Sequence, residues 1–386
     1  MPFLYSLSKK GYYIKQIIPC SGFCERSEIF SGLDGFDTGN FTAIGYLPEY
    51  SPYKKDKNIL RLFEVIKNCN ERVYGKLFRI WRLHNNKRLN GYRIPPRSLH
   101  KFALTEDGNK VLIPHKNIFD VLEDKRMTYT TNGFTSLSDI GRRTQLTNIE
   151  LAEQEINKGT YFIPLYIGET DKIGHYYGAD IDNIKPTLQA VDNQLKQLFN
   201  AATKSGYSFC VMGDHGMVPV TKKLDVISVV KGCRCKLHID YEAFYDSTMV
   251  RFWFYKEQAK HIIITRLIEE LNDYGFIVDS NNYVNYRVPL DLKCSDGYPV
   301  YGDIVWCAKP GVLVSPDYFH SRSDSENGMH GYIDVVEGHG TGLFVKYHQG
   351  ILHQELDKAH SSQICEQLCE TLEIQTPNSH LWKRMV

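Results

Sequence analysis

The stretch YSFCVMGDHGMVPV, residues 207–220, decides how the fold is read. An apolar run of strand length stops abruptly at an acid, an imidazole and a glycine. A continuous apolar run, rather than an alternating one, implies a strand covered on both faces. Ahead of it lies TLQAVDNQLKQLFNAATKSG, with the apolar spacing of a helix of four or five turns. Ahead of that, YFIPLYIGE (161–169) reads as a second buried strand and IELAEQEINKG as a helix. IFDVLEDKRMTYTTNGF repeats the unit, with TYTT as its strand. This alternation predicts an α/β fold: a mostly parallel sheet flanked by helices on both faces, with a small inserted or cap subdomain.

The rest of the chain is fitted around that unit. MPFLYSLSKKGYYIKQIIP reads as a helix over 2–9, a stop at Gly11 and a strand over 12–18. Residues 57–83 carry apolar positions at helical spacing. After residue 220 the rhythm changes. LDVISVV, the alternation at 233–239, MVRFWFY, YVNYRVPL and DIVWCAKPGVLVSP read as strands, and QAKHIIITRLIEELNDYG as a helix. GLFVKYH is a late strand and SSQICEQLCETL a terminal helix. The expected organisation is a core from 1–50, 101–225 and 300–386, a basic helical insert at 51–100, and a smaller α+β cap at 226–299.

Composition excludes several classes. The 386 residues are 42% hydrophobic and 24% charged, a globular balance. A formal charge of +1 gives no overall basic character, which argues against nucleic acid as a partner. The charge is uneven, however: residues 51–100 hold 13 Lys and Arg against 3 Asp and Glu. Three readings of that block stay open: a cap with a solvated cationic face, a lid that draws in an anionic substrate, or an amphipathic attachment to a membrane surface. The ten cysteines form no paired CxxC motifs. Cys210 and Cys307, inside apolar runs, are expected to be buried thiols. No signal segment and no transmembrane-length apolar stretch is visible, so a reduced, cytoplasmic location is expected. No GxGxxG or GxxxxGK[ST] occurs, which disfavours a nucleotide-loop protein.

Polar residues gather where strands are expected to end, the usual ligand edge of an α/β sheet. Asp214 and His215 follow one strand. Asp171 and His175 follow another, four residues apart, so a helical turn would aim both at one point. His330 lies beside Gly331 upstream of a third strand, and His339 follows it. Carboxylate and imidazole groups are good ligands for zinc-like cations. A turn with a capped helix is the bland alternative at each place.

The ordered set ETDKIGH (169–175), GDHGM (213–217) and HGY (330–332) resembles the alkaline phosphatase superfamily, in its type I phosphodiesterase / nucleotide pyrophosphatase branch. IFDVLEDKRMTYTTNGF and LQAVDNQLKQLF resemble that group's core elements. The likeness covers about 2–50, 115–225 and 300–346. It implies two divalent metal ions, most often zinc, with manganese as an alternative. Asp171, His175 and His330 would hold one ion. Asp214 and His215 would hold the other, with the nucleophile and an acid on the family's first strand. That strand should precede MPFLYSLSKKG and is not seen here, so the sequence is expected to start late. Asp34 and Asp37 lie nearby, but nothing licenses them as replacements.

The nucleophile position is irregular as well. The family places it ten residues before the glycine of a TG pair. Here the pair is Ser31–Gly32 and the matching residue is Gly22. Ser21 and Cys24 are the neighbouring candidates, and Arg26 could contact a phosphate. The implied activity is metal-dependent hydrolysis of phosphoric esters, of phosphodiesterase or pyrophosphatase type, through a covalent phospho-enzyme. The alternative is a catalytically impaired member that binds a phosphorylated glycan or lipid head group, or a sulfatase or phosphotransferase on the same scaffold. The expected partner is a small phosphorylated substrate, nucleotide- or glycan-linked; oligomeric state stays open.

Overall fold

The computed structural model describes residues 1–20, 22, 24–87, 89, 91, 93–105, 112–132, 146–178, 180–320, 325–335 and 338–378. The helix Pro2–Ser8 opens with proline in its first turn, where the missing N–H costs nothing. Its free amides at Phe3 and Leu4 donate to the buried Asp192 carboxylate on the long helix Ile181–Lys204. At Gly11 the chain passes so close to the Lys346 carbonyl that a Cβ would lie 2.3 Å from its oxygen. The strand Tyr12–Ile18 follows.

This strand sits inside a four-stranded sheet. It runs parallel to Gln354–His360 and antiparallel to Gly342–Tyr347, which pairs antiparallel with Phe209–Gly213. Two of the three pairings are therefore antiparallel. A second four-stranded sheet, ordered Tyr241–Tyr245, Met249–Phe254, Ile304–Ala308, Gly275–Val278, is antiparallel throughout. The expectation of a mostly parallel sheet is overturned: the fold is α/β with mixed and antiparallel sheets and helices on both sides. The physical reason is plain. Burial on both faces produces a continuous apolar run whatever direction the strand runs. Direction follows from the connection instead. Gly342–Tyr347 is entered directly from the loop that carries His330 and His339 and runs antiparallel to both of its neighbours.

Other expected strands also change. LDVISVV is the helix Val226–Gly232, started by the Asp225 carboxylate accepting the Ser228 amide. That cap outweighs the β-branched composition. YVNYRVPL is a set of turns, and the 233–239 alternation forms only the Leu237–Tyr241 bridge. TYTT and YFIPLYIGE meet at one described parallel bridge, Tyr129–Phe162.

Packing is unequal between the two sheets. The antiparallel sheet carries the largest core, with Trp253, Trp306 and the ion-paired Arg251 essentially without exposure. The helix Glu257–Leu271 lays Ala259, Ile263, Leu267 and Leu271 on it at a four-residue period. The helices Lys57–Cys69 and Glu71–His84, joined at Asn70, share the same apolar cluster through Leu60, Phe63, Tyr74 and Phe78. The mixed sheet has smaller clusters around Ile14, Ile17 and Phe344. All ten cysteines are free thiols. Among the described residues no helix is long and apolar enough to cross a membrane.

Candidate metal centre

The helix Glu169–Tyr177 carries Asp171 and His175 on one face. Asp171 Oδ1 lies 3.3 Å from His175 Nε2 and 3.6 Å from His330 Nε2. His330 arrives from another direction. It follows Gly328–Met329, which pairs antiparallel with Val218–Pro219 just beyond GDHGM. At the end of Phe209–Gly213, Gly216 is pressed under the incoming loop. A Cβ there would lie 2.0 Å from the His339 carbonyl oxygen, and its amide donates to Gly340. This fixes His215 against His330, their rings stacked at 3.7 Å and 6°. Asp171, His215 and His330 each offer a ligand atom, all within 4.8 Å of one another. His175 stands 5.1 Å from the His330 ring, and Asp214 Oδ1 is 3.8 Å from His215 Nε2. His339 contributes its backbone to the site and its side chain is exposed.

Electrostatics show what the cluster is built for. His175 Nδ1 faces the Gly328 carbonyl at 3.0 Å, so that nitrogen carries the proton. Its other nitrogen faces the Asp171 carboxylate, which is also an acceptor. Only an imidazolium, or a cation shared between nitrogen and oxygen, satisfies both contacts. His215 Nδ1 likewise donates to the Gly216 carbonyl at 2.8 Å, leaving Nε2 as its acceptor nitrogen. Asp171 Oδ1 is buried and accepts no hydrogen bond among the described residues. Burial pushes the Asp171 carboxyl up, but His175, then His330 and His215, carry it below the usual carboxylate range. Burial would lower His175, yet Asp171, the Gly328 carbonyl and Glu326 raise it. Burial and the neighbouring His215 hold His330 well below its ordinary value, and Asp171 offsets this only in part. A stacked imidazole pair, His330 held neutral by its burial, beside a buried carboxylate oxygen is a donor set that fits a divalent cation.

The proposed catalytic residues fare differently. Ser21 lies outside the described residues. Gly22 has φ +98, and a Cβ on it would meet the Phe41 carbonyl oxygen at 2.0 Å. Cys24 precedes the helix Glu25–Ser31 and is 2% exposed. The Arg26 guanidinium lies over the Tyr166 ring at 5.1 Å. Asp34 and Asp37 are both engaged by Arg287.

Two features escaped the sequence reading. One is Glu326, whose carboxylate lies 3.9 Å from His175 Nδ1 and 3.8 Å from His320 Nε2. Its only sequence signal is an acid four residues before His330. The other is a cavity of about 820 Å³, lined by 161–167 on one side and 207–213 on the other, with Arg26, Asp171, Asp214 and His215 among its lining. Among the described residues Phe209–Gly213 is the last strand of its sheet, and all five of its residues are only half-buried. Cys307 is buried as expected, whereas Cys210 is only partly so because it lines this cavity.

The profile of the type I phosphodiesterase / nucleotide pyrophosphatase family matches residues 34–333. That span contains all five expected ligands and begins after Ser21, Cys24 and Arg26. Human ectonucleotide pyrophosphatase / phosphodiesterase 5 has a solved structure 13% identical to this chain, with a TM-score of 0.64. The murine protein is similar at 14% identity and 0.65. An inactive variant of the murine protein, in complex with AMP, is similar at 13% and 0.65. Each comparison covers 97% of this chain and 90% of the other. At these identities the likeness is one of fold. No curated protein matches the chain.

Proposed function

The chain belongs to the type I phosphodiesterase / nucleotide pyrophosphatase family, and on that premise we propose that it is a divalent-metal protein that grips the phosphoryl end of a phosphorylated glycan or lipid head group and turns phosphoester over weakly or not at all. The observation that carries this reading is the unsatisfied Asp171 Oδ1, set among His175, His215 and His330 at the lining of a cavity. Asp171, His215 and His330 would hold an ion, most suitably zinc, with His175 completing the set and Asp214 beside it available to a second ion. Such an ion supplies Lewis acidity and offsets the charge of a phosphoryl group. The chain's own part is to orient. The Gly328 and Gly216 carbonyls fix which imidazole nitrogens face inward.

The weak-turnover part rests on the region before residue 34. The position matched to the family's nucleophile is Gly22, whose left-handed backbone and contact with Phe41 leave no room for a side chain. The Cys24 thiol is buried, which disfavours the reactive thiolate. The second reading is hydrolysis, with Ser21 or Cys24 as nucleophile and Arg26 on the phosphate, favoured by the family itself. Metal analysis, calorimetric titration with inorganic phosphate and phosphoethanolamine, and turnover of an aryl phosphodiester separate the two. The expected result is bound zinc, phosphate binding that disappears in Asp171→Asn, and no burst of product. A covalent phosphoryl adduct on Ser21 or Cys24, seen by mass spectrometry, would replace this reading with the hydrolase. Absence of metal would sink both.

A further inference from the structure

The helices Lys57–Cys69 and Glu71–His84 are apolar on more than one side. Inward, Leu60 and Phe63 on the first and Tyr74 and Phe78 on the second join the core. Outward, Leu62, Val65, Val73, Leu77, Ile80 and Leu83 are each 44–67% exposed. Val73, Leu77 and Ile80 recur at i, i+4 and i+7, so they form one stripe along the second helix. Scattered exposed apolar residues need no explanation, but a stripe on a helix already anchored by its other face does.

The polar residues of the same surface are cationic. The two helices hold Lys57, Arg61, Lys67, Arg72, Lys76, Arg79 and Arg82 against Glu64 and Glu71. Two of these cations face inward: Lys67 donates to the Arg93 carbonyl and Arg82 to the Lys87 carbonyl. Lys57, Arg61, Arg72, Lys76 and Arg79 are exposed. We propose that this helical pair docks flat on an anionic phospholipid surface. Leu62, Val65, Val73, Leu77 and Ile80 enter the boundary between head groups and acyl chains, and the five exposed cations meet lipid phosphates and carboxylates. Charge selects this occupant over a second copy of the chain. A two-fold interface here would press two like-charged cationic surfaces together, which disfavours association. The proposal is independent of the metal centre and stands on a different element of the fold.

The test uses the full chain floated with vesicles of phosphatidylcholine alone, or of phosphatidylcholine mixed with phosphatidylserine. Binding is expected to the mixed vesicles only, and to weaken at high salt. Leu77→Ser with Ile80→Ser, and separately Arg72→Ala with Arg79→Ala, should each cut binding about tenfold or more, at roughly 1 kcal/mol per cation near the surface. All these side chains are exposed, so melting temperature and zinc content should not change; that invariance separates lost docking from lost folding. Equal binding to neutral vesicles, or none to either, overturns the proposal. So does a dimer in solution that Leu77→Ser with Ile80→Ser converts to monomer, which would make the stripe a contact between copies.

Discussion

The two sheets of this chain are built to different standards of packing. In the antiparallel sheet every residue of Tyr241–Tyr245 and of Ile304–Ala308 is buried. Even its charge is enclosed: Arg251 binds the Asp246 carboxylate at 2.9 Å and lies 4.6 Å from the Phe244 ring centre. In the mixed sheet the strand leading to Asp214 and His215 is half-buried along its whole length, beside an 820 Å³ cavity. The lesson is a division of labour. Close packing supplies the rigidity against which a site can be held, and the site half gives up some of its own core for space.

The largest expected effect tests that division directly. Trp306 is 1% exposed in the middle of the antiparallel sheet, so Trp306→Ala should cost about 3–5 kcal/mol of unfolding free energy. Met212, on the strand beside the cavity, already has missing neighbours, and Met212→Ala should cost only about 1 kcal/mol. Urea denaturation of both variants gives the comparison. Equal losses would mean that the cavity is filled in solution and that the two halves are packed alike.

The next effect is confined to the site half. Zinc at a hundredfold excess over its dissociation constant should stabilise the chain by about 2.7 kcal/mol, read as a raised melting temperature. Asp171→Asn should remove that rise, because it takes away the carboxylate charge at the centre of the cluster. Trp306→Ala should keep the zinc-induced rise while starting from a lower baseline. If zinc instead stabilises Asp171→Asn as much as the parent chain, the ion is held elsewhere.

How much of this was readable in the residues follows the same division. Side-chain periodicity revealed the helices, because the apolar face of Glu257–Leu271 or Ile181–Lys204 is written at helical spacing. The cluster was readable because its members sit in short glycine-bearing motifs, where the backbone must turn or pass closely, as at Gly216 under His339. Strand direction was not readable, since FCVMG and GLFVKY look alike whichever way they run. The helix Val226–Gly232 was misread because the Asp225 cap on Ser228 outweighed the four β-branched residues Val226, Ile227, Val229 and Val230. Glu326 was invisible because its partners, His175 and His320, lie on separate segments that only the tertiary fold brings together.

The smallest expected effect lies at the seam between the halves. Arg287 spans it, binding Asp34 and reaching Asp37 at 3.1 Å. Burial, then the charge of Asp34, push the Asp37 carboxyl up from 3.8 to about 6, and Arg287 only partly offsets them. A carboxyl with a raised folded value binds its proton more tightly in the folded chain. Between 3.8 and about 6 the unfolded chain has already lost that proton, so stability falls as pH rises through this window. Asp37 is 32% exposed, so solvent screening limits the change to on the order of 1 kcal/mol. Asp37→Asn keeps an oxygen for Arg287 while removing the charge. It should therefore flatten the dependence across the window and match the parent chain at its acid end. Thermal melts at a series of pH values decide it: a parent chain that gains stability as pH rises from 3.8 to 6 would mean that Arg287 outweighs both burial and Asp34, and that the seam is held by charge.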